Sequence, residues 1–363
     1  MVGAHARQAR LYVGTYTNAG TSRGIYALSL DLESGALRAG GLVAEAADPS
    51  FLALAPNGRT LYAVNELTEL AGRPTGGVMA FARDPRSGAL SPLGQQPSGG
   101  GAPCYVTVDR AGRYVLVANY VGGSVALLPI ARNGALGEAT AVVRHAGKGP
   151  NAERQEGPHA HCIILDAPNR FAIAADLGTD SLSIYRVDDR RGLLTPAEQG
   201  TVALRPGAGP RHLAFAPDSR TLYLVNELNS TLVAFTYDYH RGRLSERQTL
   251  STRPVGARGD NFPADLHVHP RGHVVYASNR GDDTIAVFSV ASDSGRLALA
   301  QTVATGGRWP RNFAVDPSGR HLLVANQRSD SVVGFAIDAR TGLLSPSGAR
   351  VDLPSPVCLL FAD

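Results

Sequence analysis

Seven residues of this chain would form a working set for acid–base chemistry on an anion if a fold collected them: His161, Glu66, Glu227, Arg211, Arg280, Arg311 and Tyr120. An imidazole or a carboxylate can take a proton from water. Guanidinium groups stabilise developing negative charge and grip a carboxylate or phosphate through paired hydrogen bonds. These residues are spread along the chain from Glu66 to Arg311, so local structure cannot unite them. Some repeating architecture has to.

The repeat is visible. A turn of the form polar-Gly-x-Leu occurs as Ser34–Leu37, Ser87–Leu90, Asn133–Leu136, Arg191–Leu194, Arg241–Leu244, Ser294–Leu297 and Thr341–Leu344. Each copy follows an alternating apolar strand such as Gly24–Asp31 or Thr231–Asp238, and a glycine between two such strands marks a hairpin. A further strand pair precedes each of these. Pro210–Pro217 and Thr221–Asn226 form one pair, and the phrase recurs at 49–65, 103–119, 263–279 and 310–326, and more weakly at 158–176. Seven units in 363 residues give about 52 residues each, the size of a four-stranded propeller blade. The chain opens with a second strand, Leu11–Thr15, and ends with a first strand, Pro356–Asp363. The reading is an all-β, seven-bladed propeller of four-stranded antiparallel blades, one domain over residues 1–363, its ring closed by terminal strands sharing a blade.

Blade register then brings the scattered residues together. The start of a first strand lies beside the end of the second, its antiparallel neighbour. The aligned starts are Ser50, Cys104, His161, Arg211, Ala264, Arg311 and Val357; the residues just after second strands are Tyr16, Glu66, Tyr120, Leu177, Glu227, Arg280 and Gln327. With the first strand innermost, all fourteen crowd one mouth of the central channel.

Composition bounds the partners. The net charge is +4, and 34 of the 35 basic residues are arginine, Lys148 being the exception. The arginines are scattered singly, without the runs or stripes of a nucleic-acid binder. No apolar run approaches the ~18–20 residues of a membrane span, and the N-terminal stretch lacks an apolar core. Three cysteines, an odd number in so long a chain, point to a reducing compartment and a cytoplasmic protein.

Other candidates read as structural. Asp265, His267 and His269 share one side of a strand at period two, but no further ligand stands at metal spacing, so histidines hydrogen-bonded between blades are expected. Cys104 and Cys162 read as small apolar residues, and Tyr105 and Trp309 as packing. The connection 144–157, with Lys148 and Arg154, enters the same face as a partial lid or is a disordered surface loop.

At Gly157-Pro-His-Ala-His161, Gly209-Pro-Arg-His212, Leu224-Val-Asn-Glu-Leu-Asn229 and Ala277-Ser-Asn-Arg-Gly281 the chain resembles the lactonase family of seven-bladed propellers. That family includes propeller-type 6-phosphogluconolactonases and 3-carboxy-cis,cis-muconate lactonising enzymes. The resemblance implies a site of one histidine, two arginines and a glutamate. These fall on His161 (with His159 the other match), Arg211, Glu227 and Arg280. It implies hydrolysis of a phosphorylated sugar lactone. The alternatives are cycloisomerisation of a carboxymuconate and a non-catalytic binding propeller. In the first reading His161 or Glu227 accepts the proton from water, and Arg211 or Arg280 holds the oxyanion. Arg311, Glu66, Tyr120, His159 and Gln327 complete the substrate-binding set. The partner is a small anionic lactone, with neither nucleic acid nor membrane, no metal and no cofactor, and the protein works as a monomer or weak homo-oligomer.

Overall fold

A computed structural model describes residues 8–18 and 20–362; residues 1–7, 19 and 363 of the expected domain lie outside the described residues. The described chain forms seven four-stranded antiparallel sheets. In chain order their innermost strands are Leu52–Leu54, Pro103–Val108, Ala160–Leu165, Pro210–Phe215, Phe262–Val268, Pro310–Val315 and Pro356–Phe361, which define blades 1 to 7. The sole helical element among the described residues is a 3₁₀ turn, Gln327–Ser329. Blade 7 is the shared one. Pro356–Phe361 pairs with Gln8–Thr15 through Leu11↔Phe361, Tyr12↔Leu360 and Val13↔Leu359.

Both faces of a blade are covered by neighbours, which explains why second strands such as Thr60–Asn65 and Thr221–Asn226 are buried along their whole length. Seven apolar clusters occupy the seven gaps between adjacent blades. Phe171, Ile173 and Phe235, for example, fill the gap between blades 3 and 4. Outermost strands such as Leu90–Pro97 lack the outer cover and show mixed exposure.

The recurring turn glycine has two causes. Gly242 and Gly342 take φ of 65° and 71°, which a side chain disfavours. A Cβ on Gly242 would also stand 2.5 Å from the Phe171 ring, and one on Gly342 would stand 2.2 Å from Val274. The turn of one blade thus seats under the second strand of the blade before it. Tyr276 fixes that seat by donating its hydroxyl to the Gly342 carbonyl at 2.8 Å, as Tyr12 does to Gly88 at 2.7 Å.

Candidate active site

In six blades the inner strand carries an irregularity at or beside its second residue. Pro210 pairs with Asn226 and His212 with Val225, leaving Arg211 as an extra residue. The same slip leaves His161 between Ala160 and Cys162, Arg311 between Pro310 and Asn312, and Cys104 between Pro103 and Tyr105. Blades 5 and 7 slip at Ala264–Asp265 and Val357, while in blade 1 Ser50 precedes a short strand. A β-bulge re-aims the unpaired side chain. Here it lifts that residue out of the inter-blade alternation and turns it to the axis. Ser50, Cys104, His161, Arg211, Arg311 and Val357, from six blades, line one axial cavity of about 10 Å3 with Phe51, His212 and Asn312.

Glu227 is the hub. Its Oε2 accepts from Arg211 Nε at 2.8 Å and lies 2.7 Å from Arg280 Nη2, while Oε1 accepts from Arg154 Nη2 at 2.6 Å. Burial opposes its ionisation, but Arg280, Arg211 and Arg154 together outweigh burial and hold the carboxyl well below the usual carboxylate range. Arg211 is 1% exposed. Its Nη1 also donates to the Ala264 carbonyl and to His212 Nε2. Burial pushes Arg280 down to about 9 against the pull of Glu227, with Arg211 and Arg311 adding to the fall. Arg280 Nε donates to the Phe262 carbonyl at 2.9 Å, and its guanidinium faces the Trp309 ring at 5.4 Å.

His161 lies in the same wall. Its ring meets Tyr120 edge-on at 5.6 Å and His212 at 5.3 Å. Burial, then Arg211, His212 and Arg311, hold it well below the ordinary histidine value, so the imidazole is neutral at pH 7. Its Nδ1 is buried without a hydrogen-bond partner. So are Arg280 Nη2, which is near Glu227 but misaligned, and Gln327 Oε1. Buried polar atoms are almost always paired. Two of the three, His161 Nδ1 and Gln327 Oε1, lack even an ionic partner.

A second cluster centres on Glu66, whose Oε2 accepts from Tyr16 at 2.8 Å and from the Ser50 hydroxyl. Arg311 stands 3.9 Å from it and lies over the Tyr16 ring at 5.2 Å. The expected ring is therefore two charge clusters rather than one. His159 falls outside both. Its ring nitrogens face the Tyr120 carbonyl and Glu156, each at 3.0 Å, while the ring stacks on Tyr120 at 4.5 Å. Leu177 is buried and apolar, and Gln327 is tied through its backbone to Trp309.

Of Lys148 and Arg154, Arg154 joins the site and Lys148 is exposed. Sequence reasoning left Arg154 on a partial lid or a surface loop and missed its bond to Glu227. It also missed the dyad beneath Arg211, where His212 Nδ1 donates to Asp265 Oδ1 at 2.8 Å. Burial pushes His212 down to about 4, with Arg211 reinforcing and Asp265 opposing. The adjacency of Arg211 and His212 in Gly-Pro-Arg-His was the available signal. Asp265 also takes His267 at 3.0 Å and, across the blade boundary, Asn312 at 2.6 Å; His269 reaches Gly319 of the next blade at 3.0 Å. The expected inter-blade histidine bond is thus made by His269, while His267 bonds within its own strand. Among the described residues no three His, Cys, Asp or Glu side chains lie together as a metal site requires. The three cysteines are free and buried.

The class is a closed seven-bladed propeller that gathers four arginines, two glutamates and a neutral histidine near its axis. Residues 10–361 match the model of the lactonase family, seven-bladed β-propeller. The 6-phosphogluconolactonase of Bacillus subtilis (strain 168) is 39% identical over 350 residues, 96% of this chain and 97% of its own. The periplasmic gluconolactonase of Pseudomonas aeruginosa superposes with a TM-score of 0.91 at 34% identity, covering 98% and 99% of the two chains. A protein from Lactobacillus plantarum superposes at 0.90 with 36% identity, covering 98% and 99%. The chain belongs to the lactonase family of seven-bladed β-propellers. It is an enzyme of the lactonase kind, similar along nearly its whole length to 6-phosphogluconolactonase.

Proposed function

We propose that this single propeller domain hydrolyses the lactone of a phosphorylated sugar acid at the arginine-rich mouth, as in 6-phosphogluconolactone to 6-phosphogluconate. One observation carries the reading. A buried, neutral His161 with an unpaired Nδ1 stands among Arg154, Arg211, Arg280 and Arg311, which outnumber Glu66 and Glu227 by two charges. That surplus matches a phosphate dianion.

Of the two proton acceptors, His161 fits the task. Glu227 has both oxygens engaged by guanidinium groups and is too weak a base; it organises the arginines. In this mechanism a water attacks the lactone carbonyl carbon as His161 takes its proton. Arg280, with Arg211 behind it, stabilises the tetrahedral oxyanion, a role worth several kcal/mol where water is excluded. The oxyanion collapses, the bond from the carbonyl carbon to the ring oxygen breaks, and His161 returns the proton to the leaving alkoxide. The product is the open-chain hydroxy acid. Arg311 and Tyr120, with Glu66 and Gln327, border the substrate. No described helix is long and apolar enough to cross a membrane. We place the enzyme in the cytoplasm, as a monomer or weak homo-oligomer.

The superposition on a gluconolactonase supports a second reading, in which the lactone carries no phosphate. Measuring kcat/KM on 6-phosphoglucono-δ-lactone and on glucono-δ-lactone separates the two. Preference for the phosphorylated lactone is expected. Equal or better turnover of the unphosphorylated one selects the second reading, and inactivity on both rejects lactone hydrolysis at this mouth.

A further inference from the structure

Arg154 is the cation of the mouth that the blade repeat does not supply. Its backbone is firmly held. Gln155, fully buried, donates to the Leu177 carbonyl at 2.8 Å and to Asp180 Oδ1 at 2.7 Å. Asp180 also receives the backbone N–H groups of Gly207 and Gly209, just ahead of Arg211. Asn151 caps the turn from within, accepting from the amides of Glu153 and Arg154 at 3.1 Å. The start of the loop is pinned as well, by His145 between Asp176 at 2.5 Å and the Tyr185 hydroxyl at 2.8 Å. The loop is thus a fixed bracket, and only the long arginine side chain is free to swing.

The guanidinium is committed differently from its neighbours. Arg211 and Arg280 are 2% and 5% exposed at the side chain, and Arg154 is 35% exposed. Both of its contacts, Glu227 at 2.6 Å and the Tyr120 hydroxyl at 3.4 Å, use Nη2. Nε and Nη1 make no hydrogen bond to described residues. Tyr120 belongs to blade 2 and Glu227 to blade 4, so the guanidinium spans the blade between them, which carries His161. Glu227 keeps Arg211 and Arg280 as buried partners if Arg154 leaves.

We propose that Arg154 is the specificity residue that binds the substrate's phosphate, exchanging its ion pair with Glu227 for paired hydrogen bonds to the phosphate oxygens. The proposal rests on the lactonase reading above and names the group that makes it selective for a phosphorylated lactone. A phosphate dianion offers the guanidinium more charge and a better fork geometry than a carboxylate oxygen already shared with two arginines. The exchange also draws the side chain from across the His161 blade. A substrate without phosphate has nothing to offer in return and must displace Arg154 uncompensated.

The test compares wild type, Arg154→Ala and Arg154→Lys on 6-phosphoglucono-δ-lactone and glucono-δ-lactone. The measured quantity is the ratio of the two kcat/KM values. Loss of a hydrogen-bonded charge contact predicts that Arg154→Ala lowers this ratio by about 10–100-fold. Arg154→Lys should fall between, keeping the charge and losing the fork. Inorganic phosphate should inhibit wild type competitively, with Ki raised at least tenfold in Arg154→Ala. An unchanged ratio overturns the proposal, as does an equal loss on both lactones, which would mean that Arg154 acts through Glu227. Wild type without preference for the phosphorylated lactone instead overturns the reading on which the proposal rests, and that arm needs no variant.

Discussion

Replacing Glu227 by glutamine tests whether the mouth is held together by charge. The side chain keeps its shape and loses the carboxylate that neutralises Arg211 and Arg280, whose side chains are 2% and 5% exposed. Breaking a buried ion pair from one side costs about 3–5 kcal/mol, because the remaining charge stays desolvated and unpaired. Arg154 sits partly in solvent and recovers hydration, so it adds little. With an unfolding entropy of about 2.1 cal/mol/K per residue, a chain of this length loses roughly 4–7 °C in Tm. Calorimetry of wild type, Glu227→Gln, Arg280→Gln and the double variant, at one scan rate, gives the coupling directly. The double variant should be more stable than the sum of the singles by at least about 1.5 kcal/mol. The pH dependence has a definite sign. Glu227 titrates lower in the folded than in the unfolded state, so its contribution is complete above about pH 4.5 and is lost as pH falls toward its folded value. The gap in Tm between wild type and Glu227→Gln should be constant from pH 8 to 5 and narrow below. A shift under 1 °C at pH 7, or strictly additive singles, refutes the hub.

Further outcomes follow from the same geometry. His161→Ala should lower kcat by ~10²–10⁴-fold with a much smaller change in KM, as loss of a general base does; a main effect on KM would reassign His161 to binding. Because burial and neighbouring cations depress His161, its neutral form persists in acid, and kcat, which reports the bound complex rather than the titration of free substrate phosphate, should stay level from pH 7.5 to 5.5. An ordinary histidine would be about 90% protonated at pH 5.5, so a tenfold fall there would contradict the burial argument. Removing the closing strand from Pro356 onward strips Val357, Cys358 and Leu359, each 5% exposed or less, and reopens the edge of Gln8–Thr15. Thermal unfolding should then move down by several degrees or the product should aggregate, and wild-type melting would count against ring closure. Activity should survive exhaustive dialysis against a chelator, since Asp265, His212 and His267 already satisfy one another; loss restored by one divalent ion would reveal a metal role for them.

The sequence by itself determined the seven blades and the shared terminal blade, and it set the expectation of which positions meet at one mouth. Those follow from local facts: strand alternation, a turn glycine at near-constant interval, and the antiparallel rule that sets the start of one strand beside the end of the next. On that basis His161, Arg211, Glu227 and Arg280 were legible as neighbours. Tertiary structure decided what they do to one another. The bulge that frees Arg211 is a property of the hydrogen-bond ladder, visible only once Pro210 and His212 are seen to pair with consecutive residues. The split of the ring into a Glu227 cluster and a Glu66 cluster depends on side-chain reach across the channel. Arg154 carries no periodic signal, because Gln155 and Asp180, apart in sequence and on different elements, hold its loop in place. Protonation belongs to the folded state as well. Glu227 and His161 have ordinary side chains in the sequence, and only burial beside guanidinium groups makes one a fixed anion and the other a neutral base.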